Sequence, residues 1–92
     1  MLARAGMFER VVGRVLVAGR ACANVYLSFG RVWKKDVTVT IDTRAQRLFA
    51  AAGFDPLTLE GALVRVRGWI EIAGGPRIAV THPEQIEVLF RP

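Results

Sequence analysis

The chain has 92 residues, of which 52% are hydrophobic and 23% are charged, as in a folded domain and unlike a disordered segment. Lysine and arginine number 13 against 8 acidic residues, and the resulting charge of +5 favours an anionic partner such as nucleic acid. Cys22 is the only cysteine, which excludes an internal disulfide and leaves the compartment unmarked. Neither a membrane-length apolar run nor a signal peptide is recognisable, so we expect no membrane partner and, if the chain is complete, a cytoplasmic location.

Two strands are predicted in the first third of the chain. Residues 11–18 are rich in β-branched side chains, and Gly13 within them indicates a bulge or bend. Residues 19–23 are expected to form a turn. Residues 24–30 alternate with period two. This alternation places Val25, Leu27 and Phe29 on one face and Asn24, Tyr26 and Ser28 on the other.

A basic loop at 31–36 leads to a third predicted strand at 37–41, whose threonines point outward. Residues 44–52 are alanine-rich helix formers, and Gly53 follows them at the position that favours glycine. Asp42 or Thr43 is the predicted N-cap of this helix. A second, shorter helical turn is predicted after Asp55 and Pro56, and it ends at Gly61.

The strands resume at residues 62–71, where Val64, Val66, Gly68 and Ile70 share one face. A turn is predicted at 73–76, and residues 77–81 form the last core strand, which continues to Leu89 after a break near Pro83. The order of three strands, one helix and two strands predicts a five-stranded OB-fold Greek-key barrel. The whole chain forms one domain in this prediction, with its core at about residues 8–90. An SH3-like barrel is the alternative, although it would not contain a helix of this length there.

Several stretches form a set: GRV at 13–15, NVYLSFG at 24–30, KDVTV at 35–39, VRVRGWIE at 64–71, and GP at 75–76 followed by THPEQIE at 81–87. This set resembles the OB-like accessory domain of bacterial thermonuclease-family proteins, the relatives of micrococcal nuclease. The THPEQIE stretch is its most specific part, and the resemblance covers about residues 8–89. It implies the fold and an accessory role in nucleic-acid binding beside a nuclease domain, with no catalytic residue.

The acidic residues and the single histidine do not form a catalytic pattern. Asp36, Asp42 and Asp55 fall in a predicted loop and at helix starts, where turn and cap roles account for them. His82 has no second histidine and no spaced cysteine with which to hold zinc, and no evident nucleophile to activate. We therefore expect no enzyme activity, no metal and no cofactor.

The surface that an OB barrel uses for binding comprises its second and third strands and two adjoining loops. Single-stranded DNA or RNA needs aromatic rings for its bases and cations for its phosphates. The candidate binding residues are Arg20, Asn24, Tyr26, Ser28, Trp33, Lys34, Lys35, Thr38, Thr40 and Arg77. Tyr26 and Trp33 are the candidate stacking rings, although they equally suit a role in capping the barrel ends.

A second candidate surface consists of Arg65, Arg67 and Trp69, which share the outward face of the fourth predicted strand. Arginine and tryptophan are frequent in protein interfaces, so this face suits docking on a partner domain or subunit. It equally suits an internal stack of arginine on tryptophan, or contact with nucleic acid. The alternative to a nucleic-acid-binding module is therefore a protein-interaction or structural module.

Overall fold

A computed structural model of the chain describes residues 8–32, 35–71 and 76–92, with side chains described outside residues 30–36. The strands in this part of the chain are β1 (Phe8–Arg14), β2 (Val17–Ala21), β3 (Asn24–Val32), β4 (Lys35–Ile41), β5 (Leu63–Glu71), β6 (Arg77–Ala79) and β7 (Ile86–Phe90). Helix α1 (Thr43–Ala51) and the 3₁₀ turn η1 (Pro56–Leu59) lie between β4 and β5, and the 3₁₀ turn η2 (Pro83–Gln85) precedes β7.

The strands pair in the order β1-β5-β6-β4-β3-β2, and β7 pairs with β5. Strands β4 and β6 are parallel, whereas the other paired strands are antiparallel. The predicted helix position between the third and fourth core strands is confirmed. The predicted five-stranded Greek-key barrel differs from the structure, because the sheet in the described part of the chain has seven strands and an open pairing path, with β1 and β2 at its ends.

The first predicted strand is divided, but not at Gly13, which lies in regular register within β1. The division occurs at Val15 and Leu16, where the chain changes its hydrogen-bonding partner. The Val15 amide donates to Ala62 O at 2.9 Å on the β5 side, whereas the Leu16 amide donates to Ser28 O at 2.8 Å in β3. The division falls where the chain passes from one partner strand to another, and the prediction of a bulge at Gly13 was wrong.

Three predicted boundaries also differ from the structure, and in each case strand pairing sets the observed one. Strand β2 continues to Ala21, so the turn predicted at 19–23 is confined to Cys22 and Ala23. Strands β3 and β4 extend over most of the predicted basic loop and place Asp36 in β4. The last predicted strand is two strands, since β6 pairs with β4 and β5, whereas β7 pairs with the other end of β5.

Cys22 has a φ of 58°, in the left-handed region that favours glycine. We expect Cys22→Gly to stabilise the fold by about 0.5–1 kcal/mol, because glycine adopts this conformation without steric cost. Urea unfolding measures the change. Cys22→Ala is the matched control, since alanine keeps the Cβ and should give no gain. Equal stability of the two variants would contradict the explanation.

The core follows the predicted alternation. Its buried side chains are Val15, Val25, Leu27, Phe29, Val37, Val39, Ile41, Ala45, Phe49, Leu59, Ala62, Val64, Val66, Ile70, Ile78, Val80 and Ile86. Helix α1 covers one end of this core with Phe49, and its predicted N-cap is Asp42, which accepts from Ala45 N at 2.8 Å. Gly53 follows the helix with a φ of 70°. No helix in the described part of the chain combines the length and the apolar character that a membrane crossing requires.

The side chain of Gln85 ties η2 to β5. Its Oε1 accepts from Thr81 N at 2.9 Å and His82 N at 3.1 Å, and Thr81 Oγ1 lies 2.9 Å from it. Its Nε2 donates to Arg67 O at 3.0 Å. The neighbouring Gly68 leaves room for this carboxamide, since a Cβ there would lie 3.1 Å from Nε2. The THPEQIE stretch therefore has a structural role in the fold.

Candidate nucleic-acid interface

The outward side chains of β3, β4 and β6 form two short rows across the sheet. Tyr26 is paired with Thr40 in one row, and Ser28 with Thr38 in the next. Arg77 extends the second row because it is paired with Thr38 across the parallel strands. These side chains are half-buried, and the residues between them along each strand point into the core. The register thus brings five of the predicted binding residues together.

The ring of Tyr26 lies over Gly19 in β2, its partner across the strand pair. A Cβ at Gly19 would lie 2.8 Å from Tyr26 Oη, 3.0 Å from Cζ and 3.1 Å from Cε1. Any larger residue would displace the ring, so Gly19 provides the space in which Tyr26 lies along the sheet. A ring held in this way needs little reordering before a base stacks on it.

Asn24 and Arg77 complete this surface, which we call the Tyr26 face: Asn24, Tyr26, Ser28, Thr38, Thr40 and Arg77. Asn24 is exposed and begins β3 beside the hairpin turn. The Nε of Arg77 is buried and finds no hydrogen-bond partner among the described residues.

Arg20 does not join the Tyr26 face. It lies in β2 and not in a loop, and it is paired with Val25, whose side chain is buried in the core. Its Nη1 donates to Gln46 Oε1 of helix α1 at 3.1 Å. Arg20 therefore stands on the opposite side of the β2–β3 ribbon from Tyr26. The sequence placed it wrongly because the hairpin turn was predicted to begin at Gly19.

Three predicted binding residues cannot be placed on this face. Trp33 and Lys34 lie outside the described residues. Lys35 begins β4, where it is paired with Val32, but its side chain is also outside the described part. Their proposed contacts with a polymer remain predictions.

The second predicted surface lies on the outward face of β5. Trp69 is 59% exposed, and its ring meets Phe8 of β1 edge-on, with centroids 5.8 Å apart and an interplanar angle of 82°. Arg65 forms an ion pair with Glu87 of β7 at 2.6 Å, and Arg67 Nη2 donates to the carbonyl of Glu84 at 3.2 Å. The aromatic partner of Trp69 is thus Phe8, a residue that the sequence prediction did not include.

Exposed apolar side chains accumulate on the same three strands. Beside Phe8 and Trp69, the strands carry exposed Val12, Leu89 and Phe90. Large exposed apolar patches mark interaction sites more often than single exposed residues do. We call Arg65, Arg67, Trp69 and Phe8 the β5 surface. Every second residue from Phe8 to Arg14 is apolar or arginine, a pattern that could have indicated the β1 part of this surface.

The acidic residues and the histidine have local structural contacts. Asp42 caps helix α1, and Asp55 caps η1 by accepting from Leu57 N at 3.0 Å, as predicted. His82 is exposed, and its Nδ1 lies 2.9 Å from Thr81 Oγ1. Within residues 8–32, 35–71 and 76–92, no three His, Cys, Asp or Glu side chains cluster in a way that would hold a metal ion.

No protein-family model matches the chain, and no curated protein matches it. Similar solved structures do exist. The OBody AM1L10 bound to hen egg-white lysozyme superposes with a TM-score of 0.64 at 20% identity, over 95% of this chain and 83% of that one. The asparaginyl-tRNA synthetase of Pyrococcus horikoshii superposes with a TM-score of 0.62 at 19% identity, over 96% of this chain.

The same synthetase complexed with asparaginyl-adenylate gives a TM-score of 0.63 at 19% identity. This chain spans about a fifth of the synthetase chain, 21% and 20% in the two structures. Together with the strand order and the position of helix α1 between β4 and β5, these similarities identify an OB-like fold.

Proposed function

We propose that this chain is a non-catalytic OB-fold module that binds single-stranded DNA or RNA on the Tyr26 face with little sequence preference. The observation that carries the proposal is the ring of Tyr26, which lies over Gly19 in the middle of a polar cross-strand surface. Stacking of a base on an aromatic ring contributes about 1–3 kcal/mol and tolerates any base. The face therefore suits a polymer of variable sequence.

The charge of the chain supports the same ligand. The formal charge is +5, and Arg77 adds a positively charged residue to the Tyr26 face beside Thr38. Phosphate contacts make affinity fall as salt rises, because bound counterions are released from the polymer. Fluorescence anisotropy of labelled oligonucleotides of about ten nucleotides should show binding at about 50 mM salt and a marked loss at about 200 mM. Absence of binding at the lower salt concentration would overturn the proposal.

We expect Tyr26→Ala to weaken oligonucleotide binding about tenfold, since it removes a stacking ring worth about 1–3 kcal/mol. Tyr26→Phe keeps the ring and should bind nearly as the parent does. Gly19→Ala gives an independent variant, because its Cβ would meet Tyr26 Oη at 2.8 Å and displace the ring. Anisotropy titrations measure all three. Parental affinity in both Tyr26→Ala and Gly19→Ala would show that the ring is not used.

The accessory role is part of the same proposal. The resemblance to the thermonuclease-associated domain supports a place beside a nuclease domain, and Asp42 and Asp55 are occupied as helix caps. We expect no cleavage of DNA or RNA when the chain is incubated with a divalent metal ion. Metal-dependent cleavage by the parent chain would contradict the non-catalytic proposal. Loss of that cleavage in Asp42→Asn or Asp55→Asn would show that the carboxylate does more than cap a helix, since asparagine also caps.

Docking on a partner domain or subunit is a second candidate function, supported by the β5 surface. Trp69 and Phe8 are at least half exposed and flanked by arginines, and aromatic residues and arginine are enriched in protein interfaces. We expect Trp69→Ser to weaken association with a partner domain and to leave oligonucleotide affinity unchanged. Tyr26→Ala should have the reverse effect. Loss of oligonucleotide affinity in Trp69→Ser would reject docking and place nucleic acid on the β5 surface.

A further inference from the structure

A notch lies where the β2–β3 hairpin, the end of helix α1 and the start of η1 meet. Its lining includes Arg20 with its hydrogen-bond partner Gln46, and the consecutive residues Phe54 and Asp55. Its volume is about 470 Å³, within the range of small-ligand sites. The notch lies on the other side of the β2–β3 ribbon from the Tyr26 face, and no sequence motif indicated it.

The guanidinium of Arg20 is held at the wall of this notch by a neutral partner. Gln46 accepts from Arg20 Nη1 at 3.1 Å, while its own amide donates to Ala23 O at 2.8 Å and Ile41 O at 3.1 Å. Gln46 is thereby fixed by the backbone on both sides. No carboxylate forms an ion pair with Arg20 in the described part of the chain. The guanidinium is thus oriented but not neutralised, which suits an anionic ligand.

Apart from Arg20, Gln46 and Asp55, the lining of the notch is apolar, and the notch is open to solvent. Its floor includes Val25 and Pro56, both buried. Phe54 is half-buried and packs against Phe49 with ring centroids 5.3 Å apart. A Cβ on Gly53 would meet no atom within 4 Å, so space remains above the chain there. A flat ring fits such a site beside Phe54 better than a hydrated ion does.

Asp55 determines which end of the notch an anion takes. Its Oδ1 accepts from Leu57 N at 3.0 Å, so the carboxylate is fixed as the cap of η1. This negative charge repels an anion that binds beside Asp55. An anion in the notch is therefore more favourable beside Arg20. The ligand class is therefore an aromatic body with one anionic group at the end nearest Arg20.

We propose that this notch binds a nucleoside 5′-monophosphate group, with the phosphate on Arg20 and the base beside Phe54. If this nucleotide is the 5′-terminal residue of a bound strand, the inference rests on the proposed function. β2 is an edge strand of the sheet. An oligonucleotide that leaves the Tyr26 face at the β2–β3 hairpin would reach the notch by passing around this edge. A free mononucleotide has the same chemistry, and the experiment below separates the two sources.

The test compares oligonucleotides of about ten nucleotides with a 5′-phosphate and with a 5′-hydroxyl, using the full chain. A hydrogen-bonded phosphate should raise affinity about tenfold. Arg20→Gln should abolish this preference, and Arg44→Gln, an exposed arginine on the same helix as Gln46, should retain it. Ala50→Leu, which fills the notch from the helix, is a second variant that does not alter the charge.

Amide NMR spectra with AMP and with adenosine complete the test. Shifts of the Gln46 side-chain amide and of Gly53 and Phe54 with AMP, and not with adenosine, would support the notch. If AMP shifts these resonances but the 5′-phosphorylated and 5′-hydroxyl oligonucleotides bind with equal affinity, the notch binds free mononucleotides and not the 5′ end of a strand. If AMP shifts none of them and both oligonucleotides bind equally, the inference fails while the proposed function stands. If neither oligonucleotide binds at low salt, the proposed function fails whatever AMP does.

Discussion

Replacing Gln85 by leucine should destabilise the fold by about 2–3 kcal/mol. The carboxamide accepts from Thr81 N and His82 N and donates to Arg67 O, and leucine of similar size can replace none of these contacts. Each hydrogen bond contributes about 1 kcal/mol net, and groups left unsatisfied cost more. The backbone of η2 would lose its tie to β5, so β7 should loosen with it.

Urea unfolding of Gln85→Leu measures this effect, and hydrogen exchange shows where it occurs. Glu84→Ala is the matched control, because it changes the adjacent exposed side chain of η2 while Arg67 uses only the Glu84 carbonyl. The control should stay within about 0.5 kcal/mol of the parent chain. Equal stability of Gln85→Leu and Glu84→Ala would mean that the carboxamide does not hold η2 on the sheet.

Gly68→Ala should destabilise the fold by about 1–3 kcal/mol through overpacking. Gly68 is the one member of its inward-facing row on β5 without a side chain. A Cβ there would lie 2.7 Å from Ile78 Cγ2, a methyl on a β-branched side chain that is fully buried in the core. The same Cβ would also press on the Gln85 carboxamide. Neither neighbour can move without disturbing either the core or the contacts of η2.

Thermal and urea unfolding of Gly68→Ala check this second prediction. Glu71→Ala, at the exposed end of the same strand, is its control and should change stability by no more than about 0.5 kcal/mol. Stability of Gly68→Ala equal to that of the control would show that the backbone of β5 relaxes freely at this point. The tight packing of η2 on β5 would then need another explanation.

Local patterns were enough to predict the elements that depend on local physics. Alternation correctly separated Val25 and Leu27 from Tyr26 and Ser28, because one face of each strand is buried. Cap chemistry also predicted that α1 starts at Asp42 or Thr43, and Asp42 is the observed cap because its carboxylate accepts from an amide of the first helical turn.

The division of the first predicted strand could not be predicted locally. It occurs at Val15 and Leu16 because their amides pair with different strands, although both are ordinary strand residues by type. Gly13 was the more conspicuous residue, yet β5 accommodates it in regular register. Pairing partners are set by the whole chain, so neither the seven strands nor the open pairing path followed from residue type.

The candidate site was predicted in part for the same reason. The sequence indicated that Tyr26, Thr38 and Thr40 point outward, but only the register shows that Tyr26 and Thr40 are paired. Arg20 was predicted in the hairpin turn, but β2 continues through it and pairs it with Val25. Strand alternation then places its side chain on the face opposite Tyr26. Phe8 was overlooked because its contact with Trp69 crosses between strands far apart in the sequence.

The most direct test of the central proposal is a map of amide chemical shifts during titration with a single-stranded oligonucleotide at low salt. The proposal predicts that the largest changes fall on Asn24, Tyr26 and Ser28 in β3 and on Thr38 and Thr40 in β4. Changes confined to the β5 surface, or no changes at all, would contradict binding at the Tyr26 face.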